Sequence, residues 1–484
     1  MLQAARAILM AAAVSALWPL AATAQDAKAV VAEASRTMGA GSTDSIHLWG
    51  SGANFNLGQS NNSNGPWPRT NLNDYNRWID FSAPASRASA VTLASPVTGG
   101  PAVQAPFNQV VAPSSTAWAQ QLEIWTTPWG FLKGAAQNNA TSSVRVIDGR
   151  RFRVVSWNAP TKAPSGLPYR LVGYIGPGNL VERVDTWLEN PIFGDMLVET
   201  DYSHYRDANG LKFPSEIVQK RGGWATFEAQ ILGVAANPAD IKDRLVPPSG
   251  GPSGGPPPAA QGPASEKLAD GVWRIRGAYN AVAVEFADYI VLFEPGPQNE
   301  ARSQAIIAET KRVIPGKPIR YGVISHHHFD HTSGLPAVVG EGITIVTPQV
   351  NKAFLERALG APRTLAPDAM SRSGKKAVIE GFAGDERVFK DATRTLEVHV
   401  IKGLPHADGL VIGWLPKEKI LVYADMFNLP PASAPVPDPP VVGTQVFLAN
   451  IERLKLDPEK IVSVHSLNPD RLATLQDIRA SLGH

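Results

Sequence analysis

Between Ser325 and Leu335 the chain reads SHHHFDHTSGL, which brings His326, His328, Asp330 and His331 together in the register HxHxDH. A folded protein rarely keeps so many imidazoles and carboxylates side by side unless a cation holds them. Residues 319–325 are β-branched and apolar and predict a buried strand, and residues 332–339 predict a helix start. The four side chains therefore fall on a strand-to-helix loop. In an α/β architecture that loop lies at the carboxyl edge of the sheet, where sites collect. Alternation along it sends His326 and His328 to one side while Asp330 and His331 turn past them, which suits two neighbouring ions better than one. A histidine-rich surface loop with adventitious metal binding is the plain alternative.

Further ligands must return from other strand ends, and three residues stand in such places. His406 lies in the Gly-bracketed GLPHADG loop after the strand predicted over 396–401, Asp425 ends ILVYA, and His465 ends IVSV. One polar residue after an apolar strand is usually a turn or cap. Four such strand ends in series, counting the HxHxDH loop, are harder to explain that way.

In this order, HxHxDH, a later His, an Asp and a final His, residues 266–484 resemble the metallo-β-lactamase superfamily. The resemblance implies an αββα sandwich, with opening strands at 272–276, 281–286 and 289–293. It implies that His326, His328 and His406 hold one metal ion, that Asp330, His331 and His465 hold a second, and that Asp425 bridges them. Nitrogen and oxygen donors suit zinc, with iron or manganese as alternatives. The chemistry implied is attack by a metal-bound hydroxide on an ester, lactone, thioester or amide, with Asp330 as the catalytic carboxylate that orients the hydroxide or carries its proton. The chain has no cysteine, which excludes the β-lactamase subclasses with a thiolate ligand. The histidine-only subclass usually lacks a bridging aspartate, so the set is more similar to the glyoxalase-like, lactonase-like and general hydrolase branches. β-Lactamase activity, an oxidative iron enzyme, and an envelope amphiphile-binding protein with a scaffold metal domain are the competing readings.

The remaining histidines lack this context. His327 occupies an x position of the motif, His399 alternates with apolar strand residues, His47 and His204 are isolated, and His484 is terminal.

Arg6, an apolar run over 7–20 and Ala22-Thr23-Ala24 predict a secretory signal peptide over 1–24, hence a periplasmic or secreted protein. The run is shorter than the roughly 20 residues that span a bilayer, and no transmembrane anchor is expected. Residues 246–265 are rich in Pro and Gly and predict a flexible linker between a 25–245 domain and the 266–484 catalytic domain. A net charge of +2 without a basic run gives no reason to expect nucleic acid, so the partner expected is a small-molecule substrate. The pattern carries no signal for oligomeric state.

The amino-terminal half opens with a helix over 26–38 and continues mainly as strands: 122–125, 144–147, 152–157, 169–174 and 181–187. Residues 202–214 resemble the strand-turn-strand of LolA-like envelope proteins, which implies a curved sheet. Trp78, Trp118, Trp125, Trp129, Phe131, Trp157 and Trp187 line either a greasy concave face or an ordinary core. Asn139-Ala140-Thr141 reads as a turn. Loops 360–376 and 429–442 are the expected pocket walls.

Overall fold

The computed structural model describes residues 26–94, 103–246, 264–431 and 435–483. The expected leader, most of the expected linker and His484 lie outside the described residues. Among the described residues no helix is long and apolar enough to cross a membrane.

The first half is built on one antiparallel sheet of eleven strands. Its first strand, Ser45–Phe55, pairs with its last, Trp224–Ala236, and two meanders run outward from that seam. The helix Ala27–Met38 begins where the Asp26 carboxylate accepts from Lys28 N and ends at Gly39, whose φ of 70° lets the chain turn left-handed. Val30, Val31, Ala34 and Met38 recur at helical spacing and are buried. Helix Pro128–Gln137 carries Trp129 and Phe131 into the same layer, where Phe131 meets Trp157 of the sheet and Trp129 donates to Met38 O. The aromatics of this half are thus largely core: Trp118, Trp129, Phe131 and Trp157 are buried and Trp125 and Trp187 pack against them.

Residues 122–125, expected as a strand, belong instead to the helix Trp118–Trp125. The apolar run hid a second period: Trp118, Gln121, Leu122 and Trp125 fall at i, i+3, i+4 and i+7. Those four share one face, and Trp125 donates to Gln121 one turn earlier. The four strands from Ser45 to Val111 carried too little alternation to be recognised.

The second half has a seven-stranded mixed sheet and a five-stranded sheet. The strand Ile290–Phe293 shows how they pack: Val291 and Phe293 join the core between the two sheets, and Ile290 and Leu292 join the core under the outer helices. All four are buried, which is why the strand is a continuous apolar run rather than an alternating one. Each such side chain contributes about 1.5–3 kcal/mol of burial. In the second sheet, Val411 and Leu415 face the shared core, while Ile412 and Trp414 face Phe447 and Ile451 of the outer helix Val442–Arg453. The order is helices, sheet, sheet, helices.

The two halves share one apolar cluster. Phe329, next to the histidine run, meets Trp67 and Phe193 of the first half edge-on, at 6.0 and 5.4 Å between ring centres. Residues 360–376 were expected to wall a pocket, and Arg363, Ala366, Pro367, Asp368 and Arg372 line one together with Pro191 and Asp195 of the first half, on which the loop docks. Arg363 donates to Pro191 O and Ile192 O, and the Asp195 carboxylate accepts from the Thr364 and Leu365 amides. A flexible linker alone does not join these halves.

Candidate metal centre

Three parallel-sheet and hairpin ends meet at one edge of the sandwich. The strand Ile319–Val323 ends in Ile324 and Ser325, and the chain then turns through His326–His328 into the short helix Phe329–Thr332. Ser325 O accepts from Val411 N at 2.9 Å, tying this loop of the first sheet to the second. Strand Ile420–Tyr423 leads to Asp425, and Lys460–Ser463 leads to His465. These neighbours are paired in parallel, so Asp425 and His465 emerge side by side.

The structure brings the seven sequence-selected side chains into two adjoining groups. His326, His328 and His406 each offer a ring nitrogen within 4.8 Å of the others, and so do the donor atoms of Asp330, His331, Asp425 and His465. Asp425 lies between the groups. Its Oδ2 is 2.8 Å from His331 Nε2, 3.6 Å from His326 Nε2 and 4.0 Å from His406 Nε2, and its Oδ1 is 2.9 Å from His465 Nε2. Asp425 has φ 57°, a left-handed conformation that a side-chain-bearing residue adopts at a cost and that places its carboxylate beside the histidines.

Electrostatics separates the two groups. Burial drives the imidazoles of the first toward the neutral form: His326 lies well below the usual histidine range, His406 is lowered, and His328 falls to about 3 with help from His406 and His327. In the second group burial is outweighed. The charges of Asp425 and Glu294 hold His331 well above its usual range, and His331 in turn holds Asp425 and Asp330 below theirs.

The donor set fits divalent cations. His326 Nε2 and both ring nitrogens of His406 are buried with no hydrogen-bond partner, and His331 Nε2 faces His465 Nε2 at 3.2 Å. Neutral buried nitrogens aimed at one another and at a carboxylate are what a metal ion satisfies.

Several residues that serve these side chains carried weaker sequence signals. Glu294, fully buried at φ 62° after strand Ile290–Phe293, accepts from His331 Nδ1 at 3.0 Å. Its signal, a carboxylate ending an apolar strand, was the one that singled out Asp425. Tyr279 donates to Asp330 Oδ2 at 3.0 Å, and its ring lies 4.3 Å from that of His465. Burial and the Asp330 charge push its hydroxyl well above the usual range, so it stays a donor. Gln59, from the first half, donates to Asp330 Oδ1 at 2.8 Å. Nothing in a polar loop near residue 59 points to residue 330.

The other histidines are accounted for by other partners. His327 Nε2 donates to Ser60 O, His399 bonds to Glu397 at 3.0 Å, and His47 stacks on Trp78. His204 is paired with Glu216 on the surface.

Residues 274–465 match the family model described as the Metallo-beta-lactamase superfamily. No curated protein matches the chain. Among solved structures, the chain is similar to a metallo-beta-lactamase from Pontibacter korlensis, with 18% identity, 45% of this chain and 96% of that one covered, and a TM-score of 0.33. A metallo-beta-lactamase from Hirschia baltica matches at 16% identity over 45% and 95% of the chains, with a TM-score of 0.33. Rubredoxin oxygen:oxidoreductase from Desulfovibrio gigas matches at 18% over 45% and 61%, with a TM-score of 0.34. With its two packed sheets, outer helices and paired His/Asp groups, the region 274–465 is a metallo-beta-lactamase superfamily domain, a kind that in general carries out metal-dependent hydrolysis.

Proposed function

We propose that the chain is an exported dinuclear metal-dependent hydrolase that cleaves an ester, lactone, thioester or amide bond in a small molecule. The observation that carries this reading is Asp425, whose two oxygens stand within 4.0 Å of ring nitrogens from four histidines in both groups. His326, His328 and His406 would hold one ion, Asp330, His331 and His465 the other, and Asp425 both. Two bound divalent cations supply the Lewis acidity that makes water a nucleophile near neutral pH and that offsets charge on the leaving group. Zinc suits the donors best.

The chain's own groups do the positioning. Glu294 fixes the His331 tautomer with Nε2 directed into the site. Asp330 directs Oδ2 toward His331 at 3.2 Å and His465 at 3.7 Å, where it can orient a water and take its proton. Tyr279 holds that same oxygen in place. Export rests on the signal-peptide pattern of residues 1–24.

Metal analysis of the purified chain, with a chromogenic panel of lactones, esters, thioesters and cephalosporins, tests the proposal. About two ions per chain and turnover of one non-β-lactam class support it. A chain that takes up neither zinc, iron nor manganese refutes it, and turnover confined to cephalosporins selects the β-lactamase reading.

A second reading concerns the first domain. A cavity of about 590 Å³ there is lined by Phe55, Leu57, Phe107 and Phe227 together with Arg77, Arg221 and Glu123, the carboxylate with which both guanidinium groups pair. The apolar side chains suit the tail of an amphiphile, a role that the LolA-like pattern of residues 202–214 also suggests. Titration of the metal-free chain with a fluorescent fatty acid tests this role.

A further inference from the structure

The first domain reaches the candidate metal centre through residues 58–63, a segment that leaves the strand Ser45–Phe55 and returns toward Arg69–Asp80. Its hydrogen bonds go to the loops that carry the candidate ligands. Gly58 O accepts from Phe329 N at 3.1 Å, and Gln59 Nε2 donates to Asp330 Oδ1 at 2.8 Å. Ser60 is fully buried, and its carbonyl accepts from His327 Nε2 at 2.8 Å and His328 Nε2 at 3.0 Å. Asn61 O accepts from Asp408 N at 2.6 Å, the Asn61 side chain donates to Pro405 O, and Asn62 donates to Asp408 Oδ2 at 3.0 Å. The segment therefore ties the loop of His328 to the loop of His406. Those loops belong to different sheets.

We propose that this strap is a working part of the metal centre: Gln59 is a positioning residue for Asp330, and the Ser60 carbonyl orients His328. The inference rests on the hydrolase reading given above. Two physical arguments separate it from simple interface filling. A carbonyl oxygen can only accept, so the bond with His328 Nε2 places that ring's proton on Nε2 and leaves the Nδ1 lone pair free for a cation. A ligand in the His326–His328–His406 group needs one such unprotonated ring nitrogen. Asp330, in turn, has each oxygen held by a different donor, Gln59 on Oδ1 and Tyr279 on Oδ2, so its rotation is blocked from both domains. Outer partners of this kind typically change metal affinity or activity about 10–100-fold when removed.

The strap also has a backbone built for close approach. Gly58 has φ +85°, and a Cβ there would stand 2.3 Å from the Phe329 ring. Any other residue would lift the strap off the histidine loop or displace Phe329.

The test uses the full-length chain, with zinc and cobalt alone as probes. Gln59→Met keeps the side chain's length and removes its donor, and Gln59→Ala removes both; Asn64→Ala, in the exposed part of the same turn, is the control. Chelator competition should show zinc bound about tenfold or more weakly at one of two sites in both Gln59 variants and unchanged in the control. The cobalt-loaded variants should show altered visible absorption, which a change of packing remote from the ligands does not produce. Wild type and Gln59→Met with equal zinc affinity and identical cobalt spectra overturn the strap assignment alone. A wild-type chain that binds no metal overturns this assignment together with the hydrolase reading. If Gln59→Ala fails to fold, Gln59→Met decides the matter.

Discussion

Glu294 Oε1 and His331 Nδ1 form a 3.0 Å hydrogen bond in which neither side chain touches solvent. A buried carboxylate is costly even when a histidine and the Ser325 amide hold it, which marks the Glu294–His331 pair as a structural element of the site. Glu294→Ala removes the acceptor and frees the imidazole to turn. Zinc affinity at one site is expected to fall about 10–100-fold, read by chelator competition. Glu294→Gln, which still accepts, should lose less.

Asp425→Ala should release at least one ion per chain and cut turnover about 100-fold, because one carboxylate serves both groups. Metal content by mass spectrometry checks it. His399→Ala is the matched control: His399 forms a histidine–carboxylate group with Glu386 and Glu397, and it should leave metal content and turnover unchanged. Asp408 serves poorly as a control because it anchors the strap through Asn62.

Cleavage within residues 247–263 should leave the two halves associated, since they share a core and the Arg363 anchor. Size exclusion of the nicked protein should give one peak. Arg363→Met abandons Pro191 O, Ile192 O and the paired Asp368 carboxylate. The bonds to Pro191 O and Ile192 O are the ones that cross between the halves, and losing a charged donor there costs about 1.5–3 kcal/mol, so the nicked variant's halves should part at a lower urea concentration than those of the nicked wild type.

The metal-free chain should lose stability on acidification from pH 7 to pH 4. His326 and His406 are lowered in the folded state, and His327 and His328 are lowered to about 4 and about 3. Below the ordinary value of about 6.5 the unfolded chain binds protons that the folded chain refuses, so stability drains away as pH falls. His331 is raised, so its contribution is complete below about 6.5 and does not change further. Asp330 and Asp425 are lowered, and their contribution persists until pH falls through the ordinary carboxylate range near 4. The melting midpoint should drop by more than about 5 °C over this window, and loading with zinc should raise it at pH 7.

The candidate metal ligands were legible because each follows an apolar strand in the same chain order as a known pattern. Glu294 offered the same signal, a carboxylate after the apolar strand Ile290–Phe293, and went unrecognised. Residues 122–125 misled because an apolar tetrapeptide satisfies both a strand and a helix, and only the longer window from Trp118 separates them. The strands of residues 45–111 were hidden by their many Asn, Ser and Gly residues, whose place in a sheet is set by neighbours on either side. Gln59 and Ser60 were beyond reach for a different reason. Local periodicity does not report which distant loop a polar turn will meet.

The bond from Gln59 to Asp330 spans 271 residues of sequence. During synthesis the strap is made long before its partners, and domains fold from the amino terminus as they emerge. The strap is therefore present first, and the site can close only when the segment bearing His465 has been added. Assembly of the centre becomes a record of completion: a chain cut short anywhere before that strand has the strap but lacks the full set of side chains it was shaped to hold.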